Sequence, residues 1–266
     1  AWGKLESGMH ERPLLAFDTE TTGLYPFHGA EMFSYSTCTE DGKTDVHRLD
    51  TGNARELASA IKHLKFIWKK YNMIMHNAKF DLHFTEKLLC QKLEGIQFEC
   101  THKLSHIVRN DYPRHGLKAL SWDLCQYPKD DYEEVQVLRK AGSSFQDIPE
   151  PIMDRYQRAD AERTMMLYLV LMREFNKHPE WQEPYQVEKD IIITTMHMEQ
   201  RGMKISLGRC TRLQRELEKQ AEKAKELIWK AAGDRINPLS GPAMQKLLYQ
   251  TMGLPRLGTT KKTCVA

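Results

Sequence analysis

Two carboxylates, two residues apart, stand at the end of a short apolar run. Pro13-Leu14-Leu15-Ala16-Phe17 reads as a strand that stops at a polar site, and Asp18-Thr19-Glu20 follows it. Residues two apart on a strand share a face, so Asp18 and Glu20 present their carboxylates together. Like charges this close are costly unless a cation sits between them, and oxygen ligands select hard ions such as Mg²⁺ or Mn²⁺. A bare D-x-E also describes a surface strand end with casual acids. A second segment, His76-Asn77-Ala78-Lys79-Phe80-Asp81, sets an amide and a carboxylate after a brief strand, at the opening of a helix. An ordinary Asn cap with a first-turn acid has the same pattern. A third, Tyr156-Gln157-Arg158-Ala159-Asp160, puts a phenol and a carboxylate on one helical face a turn apart, as an ordinary amphipathic helix also can. Singly these segments are unspecific; their order and spacing are not.

Together they resemble the exonuclease motifs of the DnaQ-like superfamily, the four-carboxylate 3′–5′ exonucleases. F-D-T-E-T, N-x2-F-D and Y-x3-D appear in sequence at Phe17–Thr21, Asn77–Asp81 and Tyr156–Asp160. The third motif matches the Tyr branch, since Arg155 stands five before Asp160, where the His branch carries its base. Arg114-His115-Gly116-Leu117-Lys118-Ala119-Leu120 resembles a segment of the proofreading domain of family A DNA polymerases. Glu199–Ile205 and Ile236–Ser240, with Leu247-Leu248-Tyr249 beyond, resemble that family's exonuclease-to-polymerase junction and thumb base. The likeness is dense at the motifs and thin over 25–70 and 127–150. Cys100 departs from it, where the family often has Asp before Thr101.

The resemblance implies an α/β fold: a ribonuclease-H-like mixed sheet flanked by helices, followed by a helical thumb-base arm. It implies that Asp18, Glu20, Asp81 and Asp160 hold two Mg²⁺ or Mn²⁺ ions, which would serve an in-line displacement. Tyr156 would orient the attacking water, because a phenol with a pKa near 10 is a poor base at pH 7. Leu24 would wedge the terminal bases apart, and Thr21, Asn77 and Phe80 would hold the substrate strand and the second motif. The implied substrate is a single-stranded or frayed DNA 3′ end on a primer-template. The implied partner is a polymerase domain of the same parent chain. An RNase D-type ribonuclease shares the four acids and the Tyr, and a non-catalytic nucleic-acid clamp is the rival from another class.

Alternating strands and helices position these residues. Met32 to Thr39, Val46 to Leu49 and Met73 to Met75 read as strands after the first. Asn53 caps a helix with Leu57, Ile61, Leu64, Ile67 and Trp68 on one face. Helices are expected over Lys79 to Leu93, around Lys103–Val108 and Leu117–Cys125, and from Ile152 through Phe175. Tyr127 to Pro151, rich in Pro, Gly and Ser, reads mostly as loop. His178 to Pro184 reads as a linker, which divides an exonuclease domain over 1–178 from a helical connector and thumb start over 185–266. There, helices are expected over Tyr185–Gln200, Leu207–Ala232 and Pro242–Thr251, the last capped by Ser240. About 80 residues of arm are too few to enclose a primer-template and a nucleotide. No palm segment follows Thr260-Lys261-Lys262, so this polypeptide alone is expected to polymerise nothing.

Charge divides the chain in the same place. Residues 201–266 hold 14 Lys and Arg against 5 Asp and Glu, leaving 25 against 31 in the first 200. Arg209, Arg212, Arg215, Lys219 and Lys223 are the candidates for phosphate contact, although a solvated basic helix would carry the same residues. At 41% hydrophobic content a folded core is expected. The longest apolar runs fall far short of the ~20 residues of a membrane span. Six cysteines without a C-x-x-C pair read as reduced thiols. Cys100, His102 and His106 have zinc-like chemistry but lack a fourth ligand at metal spacing. The start, Ala1-Trp2-Gly3-Lys4, shows no signal peptide and no initiator Met, which points to a cut or processed chain. The expected setting is the cytoplasm of bacterial or phage-like replication, with an organelle compatible too.

Overall fold

The computed structural model describes residues 11–50, 52–128 and 130–255. One mixed sheet is built from β1 (Leu14–Thr21), β2 (Met32–Thr39), β3 (Thr44–Arg48), β4 (Asn72–Met75) and β5 (Phe98–Cys100). Their spatial order is β3-β2-β1-β4-β5. β3, β2 and β1 pair antiparallel, whereas β4 joins β1 in parallel and β5 joins β4 likewise. The central strand therefore has an antiparallel neighbour on one side and a parallel one on the other. Helices flank this sheet, as the family resemblance implies.

Strict alternation along β1 divides the core in two. Leu14 and Ala16 face Ile74, Leu104, Leu120, Ala161, Met165 and Tyr168. These belong in part to α3 (Thr101–Val108), α4 (Leu117–Cys125) and α6 (Glu150–Phe175). Leu15 and Phe17 face Leu64, Trp68, Leu82, Phe84, Ile192 and Met196 instead. Those side chains come from α1 (Ala54–Lys70), α2 (Ala78–Leu89) and α7 (Gln182–Arg201). Each fully buried side chain of this size contributes about 1.5–3 kcal/mol. The strand end is thus held from both faces before any acid contributes. Asn53 caps α1 as expected, its side chain accepting from the backbone N–H groups of Arg55 and Glu56 at 3.2 and 3.3 Å.

Two expectations change. The segment 127–151 is not mostly loop, because α5 (Asp130–Lys140) lies within it. Val135 is fully buried there against Ile148, Met153 and Tyr156. Its apolar stripe is short, sits among charges and is flanked by Pro128 and Gly142, which is why it reads as loop. The supposed linker is a 3-10 turn, Pro179–Trp181, that runs directly into α7. The chain divides into compact units between Gly202 and Met203, so the sequence boundary at 178–185 falls inside the first of them. α7 packs Ile192 and Met196 into the sheet's core. Glu199 accepts from Lys79 Nζ at 2.5 Å and lies 2.8 Å from His83 Nε2, which ties α7 to α2.

The second unit contains α8 (Leu207–Ala232), α9 (Gly241–Gln245) and a π-type turn over Lys246–Thr251. Ser206 and Ser240 cap the two helices. The terminal stretch from Arg256, with Lys261, Lys262 and Cys264, lies outside the described residues, as do the first ten. Cys38, Cys90, Cys100, Cys125 and Cys210 are free thiols. Among the described residues no helix is long and apolar enough to cross a membrane.

Candidate active site

Asp18 and Glu20 continue the β1 face of Leu14 and Ala16, which is the face covered by α6. Asp160 of α6 meets them there, and carboxylate oxygens of Asp18, Glu20 and Asp160 lie within 4.8 Å of one another. Thr19 points to the opposite face, toward α2. Its backbone N–H and its hydroxyl both donate to Asp81 Oδ1, at 3.1 and 2.7 Å. Asp81 is outside the group that meets within 4.8 Å, but it is near enough for its charge to act on Glu20 and to feel that of Asp18. Parallel pairing with β4 stops at Ala16 and Ile74, and β1 runs on past it. Asp18 and Glu20 therefore lie in the part of β1 that pairs with β2 alone, past the last β4 partner.

Polar contacts fix α6 against the sheet. Ser36 and Ser34 are the β2 partners of Asp18 and Glu20. The Ser34 hydroxyl donates to Gln157 Oε1 at 2.8 Å and the Ser36 hydroxyl to the Gln157 carbonyl at 2.9 Å. Gln157 is fully buried and adjoins Tyr156, so these bonds set the height of the helix relative to the acids. Arg163, also fully buried, donates through Nη1 to Asp160 Oδ1 at 3.0 Å. The Lys118 ammonium pairs with the same carboxylate and lies 4.2 Å from the centre of the Tyr156 ring. Tyr156 is nearly buried and packs among Val135, Ile148 and Met153.

Burial dominates the electrostatics of the acids. It pushes Asp18 up to about 6, against the opposing charge of Lys118. Glu20 is raised by burial first and then by Asp18, with Lys118 again opposing. Asp81 is raised by burial and by Asp18, while the Thr19 hydrogen bonds pull the other way. Three carboxyls that hold their protons too tightly are a site short of positive charge. Among the described residues, Asp18, Glu20 and Asp160 form the one group of His, Cys, Asp and Glu side chains with metal-binding geometry.

Leu24 is 71% exposed beyond the strand end. The Thr21 hydroxyl donates to the Gly23 carbonyl at 2.8 Å. Asn77 begins α2 at φ 66°, yet its side chain makes no capping bond, unlike an ordinary Asn cap. Phe80 packs against Phe84 with ring centres 4.9 Å apart. Arg209, Arg212, Arg215, Lys219 and Lys223 are exposed on α8, and their spacing of three and four puts them on one face. His102 and His106 are joined by His115, whose ring stacks on His106 at 3.6 Å. Burial lowers His76 to about 3 and His102 to about 4, which keeps both neutral.

Sequence reasoning passed over Lys118, Arg163 and Thr19 as site residues. Arg163 had a usable signal, a cation three residues after Asp160 on one helix. Lys118 lies in Arg114–Leu120, whose signal was family likeness and not local chemistry.

A family described as 3′–5′ exonuclease matches residues 4–176. The chain belongs to that family. This 3′–5′ exonuclease is 25% identical over 277 residues to a DNA polymerase of Escherichia phage T5, covering 94% of this chain and 32% of the relative. The chain spans 26 to 41% of the length of the first such polymerases it matches. Among solved structures it superposes on the POL domain of Pol1 from M. smegmatis, in complex with DNA primer-template and dNTP, at TM-score 0.62 and 18% identity. That match covers 95% of this chain and 39% of the other. Brucella melitensis NrnC with bound Mg²⁺ gives TM-score 0.54 and 21% identity over 72% of this exonuclease and 87% of NrnC. These likenesses show the ribonuclease-H-like fold.

Proposed function

We propose that this exonuclease removes mismatched nucleotides from DNA 3′ ends in a divalent-metal-dependent hydrolysis, as the proofreading part of a family A DNA-directed DNA polymerase. The observation that carries the reading is the meeting of Asp18, Glu20 and Asp160 within 4.8 Å, with Asp81 near enough for its charge to act on Glu20. All-oxygen donors, largely buried and short of positive charge, suit a hard divalent cation. Asp18, Glu20 and Asp160 would hold one Mg²⁺ or Mn²⁺ and Asp81 would join in holding a second. When bound, such ions supply a strong nucleophile at neutral pH and stabilise the charge of the leaving oxygen.

The chain's own groups do the rest. Tyr156 orients the attacking water. Arg163 and Gln157 keep Asp160 and α6 at the right height, and the Thr19 bonds orient Asp81. Leu24, exposed shortly after β1, would part the last base pair. Asn77 and Phe80, at the start of α2, steady the strand. The working partners are primer-template DNA and the polymerase domain of the same parent protein, in the cytoplasm of a bacterium or its phage. The family match over 4–176 supports an exonuclease domain proper over 1–178, onto which α7 packs, with the arm as connector and start of the thumb. Sequence likeness to polymerases over 94% of the chain, arm included, favours DNA over the ribonuclease alternative.

The test uses 5′-labelled single-stranded DNA, RNA of the same sequence and a mismatched primer-template, with Mg²⁺, Mn²⁺ or EDTA. Stepwise 3′ shortening of DNA to nucleoside monophosphates is expected with either metal and not in EDTA. Equal shortening in EDTA would overturn the metal reading. Faster cleavage of RNA would move the chain to the ribonuclease class. Elongation by this chain when dNTPs are added would contradict a purely proofreading role.

A further inference from the structure

The carboxylate cluster carries a cation of its own. Lys118, in the first turn of α4, reaches across to α6, where its ammonium pairs with Asp160 beside the Tyr156 ring. Its charge also acts on Asp18 and Glu20. Asp160 has a second cationic partner in Arg163, and the two are not equivalent. Arg163 is fully buried, and its Nη2 donates to the Pro128 carbonyl at 2.9 Å while its plane lies 4.4 Å from the Tyr127 ring centre. It is committed to the fold. The Lys118 side chain keeps 16% of its surface exposed, and a compact ammonium on a flexible four-carbon stem can swing aside.

An ammonium and a divalent ion seek the same oxygens, and at ~4–5 Å from one another they repel. We propose that Lys118 is the built-in counter-ion of the metal-free site: it holds Asp160 beside Asp18 and Glu20, and metal uptake must displace it from Asp160. The proposal rests on the metal-nuclease reading of the site. It makes Lys118 a positioning residue with two opposed effects. It stabilises the metal-free protein, and it weakens metal binding.

The probe is Mn²⁺ titrated into the full chain, with free ion followed by electron paramagnetic resonance. Thermal unfolding in EDTA is measured beside it. Lys118→Gln is expected to bind Mn²⁺ about tenfold more tightly than the natural chain, because a competing charge is gone. It should also unfold at a lower temperature in EDTA. Lys118→Arg keeps the charge and should restore the EDTA stability. Should Lys118→Gln fail to fold, Lys118→Met retains the stem that packs by Tyr156 and gives the same readings. A lower unfolding temperature with unchanged Mn²⁺ affinity would make Lys118 a packing residue only and overturn the proposal, as would weaker binding. No Mn²⁺ uptake by any variant would overturn the metal-nuclease reading, and this proposal with it.

Discussion

The strand-end site and helix α8 use charge in opposite ways. At the site, acids are brought together in a largely buried crevice, held by hydrogen bonds from Thr19 and Arg163 and by the ion pair with Lys118. On α8 no residue is buried, and five basic side chains follow one face into solvent. Charges in a crevice repel strongly and lose their ordinary protonation, so such a site is unstable without a cation. Charges on an open helix cost almost nothing and specify almost nothing. On the proposed reading the buried cluster would carry the chemistry and the exposed face the non-specific affinity. The two should fail differently when altered.

Loss of an acid should produce the largest effect. Asp18→Ala and Asp160→Ala each remove a metal ligand, and nuclease activity should fall on the order of 10³-fold, the range for losing one preorganised electrostatic contributor. Their stabilities should diverge. Asp18→Ala relieves repulsion in the metal-free protein and should leave its unfolding temperature unchanged or raised. Asp160→Ala strands a fully buried Arg163, and breaking such a pair costs about 3–5 kcal/mol. Asp160→Asn should regain part of that stability without regaining activity. Tyr156→Phe leaves every acid in place and should cost less, up to ~10²-fold, the scale for a misplaced reactant. Initial rates on a labelled single strand, with unfolding curves, decide both points. Full activity in either Asp variant would remove the acids from the chemistry.

How legible the site was depends on how local its parts are. Asp18 and Glu20 needed only strand alternation, and Tyr156 and Asp160 only helical spacing, so sequence alone placed each pair on one face. The meeting of the pairs depends on Ser34 and Ser36 bonding to Gln157 more than 120 residues away. No periodicity reports such a bond. Asp81 shows the limit well. It belongs to the motif trio, yet no local spacing reports that Thr19 holds its carboxylate. In the fold, most strands and helices followed from apolar spacing, whereas the mixed sheet was implied by the family resemblance. α5 did not, because one buried Val135 in a charged stretch is a thin signal. The packing of α7 was hidden for a related reason: Ile192 and Met196 are core residues, but a helix sequence does not say which core they join.

The arm offers the next largest effect. If Arg209, Arg212, Arg215, Lys219 and Lys223 each meet a phosphate, duplex affinity should fall about 10²–10³-fold between 50 and 200 mM salt. Replacing all five with Gln should flatten that dependence, while the rate on a short single strand at saturation stays unchanged. Fluorescence anisotropy with a primer-template across a salt series measures it. An equally steep salt slope in the Gln variant would leave α8 a solvated helix with no partner.

The smallest effect follows pH, and it separates the two regions most cleanly. Asp18 holds its proton up to about 6 because it is buried. A proton and a metal ion compete for the same oxygens, so uptake below that pH must release the proton first. Mn²⁺ affinity should then weaken about tenfold per pH unit below 6 for each proton released. The stability of the metal-free chain runs the other way. An acid whose folded pKa lies above its unfolded value stabilises the fold at low pH, and that contribution disappears as pH rises from about 4 through about 6. The difference in unfolding temperature between Mn²⁺ and EDTA should therefore widen from pH 5 to pH 7. Residues 203–255 contain no histidine, so DNA binding through the arm should stay flat over that range. Unfolding curves in both conditions, with anisotropy in EDTA at the same pH values, make the comparison. A difference that does not change with pH would mean that the acids of the crevice are not what the metal binds.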